Sequence, residues 1–302
     1  MIPAYIWIAL LSAATLGLVT ALDKRLVSHN MPSLSSFYMG VGISLFGYAT
    51  AALVIGGVPD SAPLDRLLMA GASGLCWGGA LAMMFWGYKF EEASRASAIN
   101  HTFPVFVAIL AVFFLGEAMT PAQWVAVVVI VAGAFLISLR GSIGKRVVRL
   151  NRAFPILVGA SLFTALALLT VKYALAELPV WFVFSLRNYG MGAVFLLLWR
   201  PGAFGQLFQA VRSWQTLLLL FLAEYSLAPL AVFLNVVAIN LGPVSLVGAL
   251  TGTRPFFVFI FSSVLSIGAL GMLNEPLERS TLALKLTSIA MIMGGIGALT
   301  LL

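Results

Sequence analysis

The chain has 302 residues, of which 62% are hydrophobic and only 9% charged, with a mean hydropathy of +1.07. A soluble domain carries about 25% charged residues, so this composition excludes a soluble globular protein and defines an integral membrane one. The net charge of +7 and pI near 9.9, which in a soluble chain would point to nucleic acid, here orient loops across a bilayer, and the single cysteine, Cys76, excludes an intramolecular disulfide or a multi-cysteine zinc site.

A membrane-crossing helix needs roughly 20 apolar residues. Ten such stretches are predicted, near 3–22, 34–56, 67–88, 95–115, 121–139, 154–175, 181–199, 214–238, 244–270 and 281–302. The first, "IPAYIWIALLSAATLGLVTAL", is long enough to span and has no basic flank before it, so it reads as a retained helix rather than a cleaved signal. Turn-forming stretches punctuate the rest: "GGVPDSAPLDR", "GEAMTP", "AELP", "RPGAFG" and "LNEPLERS". The longest polar segment, "RGSIGKRVVRLNRAFP", lies near the middle, and few residues remain for any soluble domain.

That midpoint divides a repeat. "NHTFPVFVAILAVFFLGEAMTP" resembles "TGTRPFFVFIFSSVL" followed by "LNEPL": Pro104 matches Pro255, Phe106 matches Phe257, and Glu117 matches Glu275 after a short insertion. Lys24 ends the first helix as Lys172 ends the sixth, and Pro32 and Pro179 open the helices that follow. Five helices per half is an odd number, which turns one half over relative to the other. In many secondary transporters such halves enclose a site near the midplane. The expected architecture is all-α integral membrane, with ten transmembrane helices as two inverted five-helix repeats. Residues 1–140 and 154–302 form the repeats and 141–153 a basic linker.

On these residues the chain resembles the drug/metabolite transporter superfamily, EamA type. It shows five plus five helices, an acidic residue after the fourth helix of each half ("LGEAMTP", "LNEPLER") and a proline within the fourth and ninth helices. The resemblance covers essentially the whole chain. It implies a carrier working by alternating access in a prokaryotic inner (plasma) membrane, with a central cavity lined mainly by helices one to four and six to nine. Members are similar in fold and differ in cargo: amino acids, quaternary amines, nucleotide sugars, phosphorylated metabolites, drugs. Loop charge adds an orientation. Arg66 and Lys172 stand on the side of the first terminus, whereas Lys24, Arg25, Lys89, Arg95, Arg140, Lys145, Arg146, Arg149, Arg152, Arg200, Arg212 and Arg279 stand on the other. The positive-inside rule puts the linker in the cytoplasm and both termini outside; the resemblance implies cytoplasmic termini instead.

A charge at the centre of a spanning helix costs about 2.5–3.5 kcal/mol on insertion scales and normally faces a partner or water. Glu224 lies halfway along the eighth predicted helix in "LLLFLAEYSLAPL", Arg187 within the seventh and Arg254 within the ninth; Asn188 and Tyr225 adjoin two of them. These helices are neighbours in one repeat, so the three charges are expected to meet in a wet cavity. Two guanidiniums against one carboxylate leave a surplus positive charge, which a carboxylate or phosphate of the cargo completes. The plainer alternative is a Glu–Arg pair that only locks helices. "GALTGTRP" around Arg254 reads either as an opened backbone lining the cavity, since Pro255 frees an upstream carbonyl, or as tight packing of small residues.

Asn100 and His101 precede Pro104 in the first half. His101 either relays a proton or is a hydrogen-bonded, inert core residue. Trp77, Trp86 and Tyr88, with the glycines of "GASGLCWGG", form either an aromatic wall that grips a cation or aromatic cargo, or packing and interfacial anchors. Lys24 and Lys172 snorkel. Glu117 and Glu275 favour the positive ends of the helices they precede. No nucleophile elbow, zinc-protease motif or phosphate loop occurs. The reading is therefore not an enzyme, with no cofactor, no metal and no nucleic acid; its partners are a small-molecule substrate and the lipid bilayer, and two fused halves can act as a monomer.

The leading expectation is a secondary exporter of a small anionic or zwitterionic metabolite, such as an amino acid or organic acid. Arg187 and Arg254 bind its carboxylate, Asn188 and Tyr225 orient it, and Glu224 takes its amino group or a proton. Trp77, Asn100 and His101 complete the site, with His101 a second proton-coupling candidate. The alternative is an efflux carrier for lipophilic or quaternary-ammonium cations held by Trp77, Trp86 and Glu224. A non-transporting scramblase or assembly partner is the reading from another class.

Overall fold

The computed structural model of the chain describes residues 3–115, 120–140, 149–150, 152–242, 244–266, 273 and 279–301. Helix α1 spans Ala4–Arg25 and continues as a π-helical turn, Leu26–Asn30, so the first crossing is longer than the expected 3–22. Ser33 starts α2 (Leu34–Gly56) through a reciprocal cap. Its Oγ accepts from the Ser36 N–H at 3.1 Å, and Ser36 Oγ accepts from the Ser33 N–H at 3.3 Å. Pro63 and Pro179 stand immediately before α3 (Leu64–Gly87) and α8 (Val180–Leu197), where a missing N–H is harmless. Between these two come α4 (Ala93–Asn100), α5 (Phe103–Leu115), α6 (Pro121–Ser138) and α7 (Phe154–Leu175). Leu139 pairs with Leu150 and Arg140 with Arg149 in a short antiparallel ladder at the two ends of the basic linker.

Beyond α8 lie α9 (Ala203–Ala210), α10 (Trp214–Leu220), α11 (Ala228–Leu241), α12 (Val244–Thr251), α13 (Arg254–Ser266) and α14 (Arg279–Leu301). A π-helical stretch, Phe221–Leu227, joins α10 to α11 without a break. Its cause is local: Pro229 has no N–H to give, and the chain relieves this with a wider turn just ahead of it. Glu224 sits in that wide turn.

Among the described residues, seven helices are long and apolar enough to cross a membrane: Ala4–Asn30, Leu34–Gly56, Leu64–Gly87, Phe154–Leu175, Val180–Leu197, Trp214–Leu241 and Thr281–Ala298. Pro121–Gly133 and Arg254–Ser266 are shorter apolar helices. The predicted fourth and ninth spans are each split, which a hydropathy window does not see. In the first half α4, of 8 residues, ends at Asn100, and α5, of 13, begins at Phe103. In the second, α12, of 8 residues, ends at Thr251, and α13, of 13, begins at Arg254. A two-residue break thus precedes Pro104 and Pro255 alike, where the proline withholds its donor from the turn before it. Glu117, Glu275 and most of the basic linker lie outside the described residues.

Helix α3 is central. It runs antiparallel to α7, with Gly87 against Leu157, Gly79 against Phe163, and Ser73 Oγ donating to the Ala167 carbonyl at 2.9 Å. On its other side it runs parallel to α8, and here glycine brings backbone onto backbone. A Cβ on Gly74 would overlap the Arg187 carbonyl, and one on Gly190 would lie 2.6 Å from the Gly71 carbonyl oxygen. Helix α1 packs antiparallel to α11, through Ser12 Oγ donating to the Ala231 carbonyl at 2.8 Å and Tyr5 against Gly242, and also meets α13, where Gly17 touches Phe257. A partly buried ion pair ties α14 to the start of α4: Lys285 Nζ lies 2.7 Å from Glu92 Oε2, which also lies 3.2 Å from Arg95 Nε of α4 itself.

One contact recurs in both halves. Lys24, at the end of α1, donates to the carbonyls of Tyr88 and Glu91, just past the end of α3. Lys172, near the end of α7, donates to the carbonyls of Ile239 (2.8 Å) and Gly242 (3.2 Å), at the end of α11. Each ammonium meets the negative end of a helix. The two caps stand at opposite ends of the molecule, since Gly242 packs on Tyr5 at the start of α1 whereas Lys24 is at its finish. These lysines are helix caps rather than the snorkelling residues expected. Lys172→Met is expected to cost about 1.5–3 kcal/mol, the worth of a charged hydrogen bond, read as a lower melting temperature in detergent. An unchanged melt would make the cap idle.

Candidate functional site

The two helix breaks meet at a cavity. Asn100, His101 and Phe103 come from the break between α4 and α5, and Thr251 and Arg254 from that between α12 and α13. Trp77 and Met84 of α3, Thr164 of α7 and Asn235 of α11 complete the polar and aromatic parts of its wall. The free space is about 30 Å³, room for about two waters. An amino-acid-sized molecule does not fit this space unless its walls move apart.

Arg254 is the cation on this wall, 5% exposed, and Nη2 donates to Thr20 Oγ1 of α1 at 2.5 Å. One turn along α1, Asp23 is 2% exposed, and its carboxyl stands in the field of that of Glu224, itself 4% exposed. The Arg254 charge acts directly on Asp23, on Tyr88 and on His101. Tyr48 of α2 and Tyr88 past α3 enclose the same cluster, both within the field of Glu224. Several polar atoms here are buried with no protein hydrogen-bond partner: Asp23 Oδ1, Tyr88 Oη, Arg254 Nε and Asn100 Oδ1. Leaving such a group unpaired costs about 1–3 kcal/mol.

The candidates read from sequence fall into three places. Trp77, Asn100, His101 and Arg254 share the cavity wall, with His101 Nδ1 bonded to the Ser97 carbonyl at 2.8 Å. Glu224 is off the wall, in the field of Asp23. Arg187 is elsewhere. It is fully buried in α8, stacked 4.3 Å over the Trp77 ring, with Nε, Nη1 and Nη2 lacking a protein partner. Asn188 beside it donates to the Phe184 carbonyl at 2.7 Å. Tyr225 points the other way, donating to the Gly40 carbonyl at 3.0 Å and lining a separate apolar groove with Phe208 and Leu217. Trp86 is exposed and packs edge-on to Phe90.

Asp23 is the residue that sequence reasoning missed. In "TALDKRLVSHN" it looks like one of three solvated charges closing a helix that ends near residue 22. Because the helix runs on to Asn30, Asp23 lies inside the span. Its three-residue spacing from Thr20 and Gly17 puts it on the face that meets α13. It is also the carboxyl on which the Arg254 charge acts, so counting it offsets that charge.

Long apolar helices, with two spans interrupted around a buried polar cavity, define a multi-pass α-helical membrane protein. Residues 3–139 match the EamA-like transporter family. The chain is 33% identical over 81 residues to a protein of Sinorhizobium sp. described as an uncharacterized transporter in the cobO 3′ region, covering 27% of this chain and 57% of that protein. A solved structure titled "Crystal structure of protein" shares the fold, with a TM-score of 0.57 and 17% identity over 98% of this chain and 95% of its own.

Proposed function

We propose that the protein is a secondary carrier of an amine-bearing zwitterion, such as an amino acid, working by alternating access between two inverted five-helix repeats, residues 1–140 and 154–302. Two features support the repeat. In each half a helix, a two-residue break and a second helix with proline at its second position follow one another. The lysine caps repeat at opposite ends of the molecule. Export across a prokaryotic plasma membrane, with the fused chain acting alone, belongs to the same proposal.

The observation that carries the cargo class is Arg254 on the cavity wall with Asp23 in its field and Glu224 in the field of Asp23. A guanidinium matches a carboxylate through its planar fork, and the two carboxyls match an ammonium. A purely anionic cargo loses its argument, because Asp23 already offsets Arg254. Arg187, behind the Trp77 ring, shapes that wall through its stacking. A second reading, efflux of a lipophilic cation, is favoured by the excess of carboxyls over guanidinium in the cluster and by Trp77 at the cavity. Liposome uptake tests both. Saturable uptake of a labelled amino acid, competed by other zwitterions but not by a monocarboxylate lacking an amine, is the expected result. Competition only by quaternary amines would replace the first reading with the second, and no saturable flux of any of them would overturn both.

A further inference from the structure

Among the described residues the buried cations are Arg95, Arg187, Arg254 and Lys285. Arg95 and Lys285 meet Glu92 at 3.2 Å and 2.7 Å, and Arg254 donates to Thr20 Oγ1. Arg187 differs from all three. It is fully buried, and Nε, Nη1 and Nη2 each lack a hydrogen-bond partner in the protein. A guanidinium does not escape by losing its proton. The face of Trp77 lies 4.3 Å away, and a ring face attracts the charge without accepting a fork of N–H bonds. Asn188, next in sequence, gives its amide to the Phe184 carbonyl at 2.7 Å, and its Oδ1 is itself unpartnered, so it does not serve the guanidinium. Both Arg187 and Trp77 lie well inside their helices, α8 and α3, where Gly74 and Gly190 bring the two backbones into contact. Rigid elements therefore fix the guanidinium in place. Trp77 also borders the cavity, of whose wall Arg187 is no part.

We propose that the Arg187 guanidinium is a binding site for a monovalent anionic group, a carboxylate by preference, which reaches it from the cavity past Trp77. A charge in the bilayer interior ordinarily faces a partner or water, and no described residue supplies a counter-charge here. The donor set names the class: five N–H groups in a planar fork match the two oxygens of a carboxylate. Arg254 faces the cavity directly, so the two arginines are separate positions. The site does not rest on the cargo proposed above. Its occupant is the carboxylate of a carried molecule or a free inorganic anion such as chloride, and the chemistry of recognition is the same.

Melting of the purified protein in detergent tests the site without reference to transport. The reference buffer has HEPES, a bulky sulfonate, as its only anion, and formate, acetate or chloride is exchanged for it at constant ionic strength. Wild type is expected to melt higher in a saturable way, by about 5 °C or more at roughly a hundredfold excess over the midpoint concentration. Arg187→Gln and Arg187→Met are expected to lose that rise. In the reference buffer they are expected to melt no lower than wild type, since each removes an uncompensated buried charge. A rise with the carboxylates names a cargo group as the occupant, and a rise with chloride alone names an inorganic ion; both uphold the site. No saturable rise in wild type, or the same rise in both variants, overturns it. Failure of both variants to fold overturns it too, because the charge would then be compensated within the protein. Trp77→Leu takes the ring off the guanidinium and is expected to move the midpoint concentration by about threefold or more; an unchanged midpoint removes Trp77 from the site. Anion-dependent melting in a protein with no solute flux would sink the transport reading and keep the site.

Discussion

Arg254→Ala is expected to abolish saturable uptake and to destabilise the folded protein by about 3–5 kcal/mol, the usual cost of removing one partner from a buried charged group. The argument runs through what is left behind. Thr20 loses its donor. Asp23 loses the cation that offsets it, in a place with almost no contact with water. Arg254→Lys keeps the charge but loses the planar fork, whose Nη2 donates to Thr20. It is expected to restore most of the stability and little of the uptake. Melting in detergent and uptake in liposomes read the two effects separately. Full uptake by the alanine variant would remove Arg254 from the binding role, and equal recovery of both quantities in the lysine variant would reduce it to a point charge.

The second large effect is expected at the seam between α3 and α8. Gly74→Ala puts a methyl group onto the Arg187 carbonyl, and Gly190→Ala puts one 2.6 Å from the Gly71 carbonyl oxygen. The opposing atoms are backbone, with no flexible side chain to swing aside. The cost should therefore reach the upper part of the roughly 1–3 kcal/mol typical of overpacking, or exceed it. The helices must separate, and the Arg187 guanidinium would then lose its 4.3 Å stack on Trp77, so uptake should fall with stability. Gly71→Ala is the control: its Cβ would meet nothing within 4 Å, and it should melt and transport like wild type. Equal melting of all three variants would show that the seam yields.

Much of this architecture is legible in the sequence because the bilayer enforces a simple rule, that about 20 apolar residues make a crossing. The bounds of α2, α7 and the helix from Trp214 follow from it, and the prolines at 104 and 255 mark the breaks. Averages over twenty residues do not show where a helix continues through polar residues. "LVSHN" reads as a loop and is a π-helical turn, and that misreading hid Asp23. Nor does sequence proximity show direction. Glu224 and Tyr225 are adjacent, yet one side chain stands in the field of Asp23 and the other meets the Gly40 carbonyl. Arg187 and Arg254 are both buried arginines on neighbouring spans, and the rotation of α8 against α3, set by glycine contacts, decides that only Arg254 reaches the cavity wall.

The burial of these charges has an electrical meaning. Arg254, Asp23 and Glu224 are all but shut off from solvent, inside the layer across which a membrane voltage falls, and one elementary charge crossing that layer does work of about 2.3 kcal/mol per 100 mV. A net charge carried through part of the layer by these groups would make turnover depend on potential.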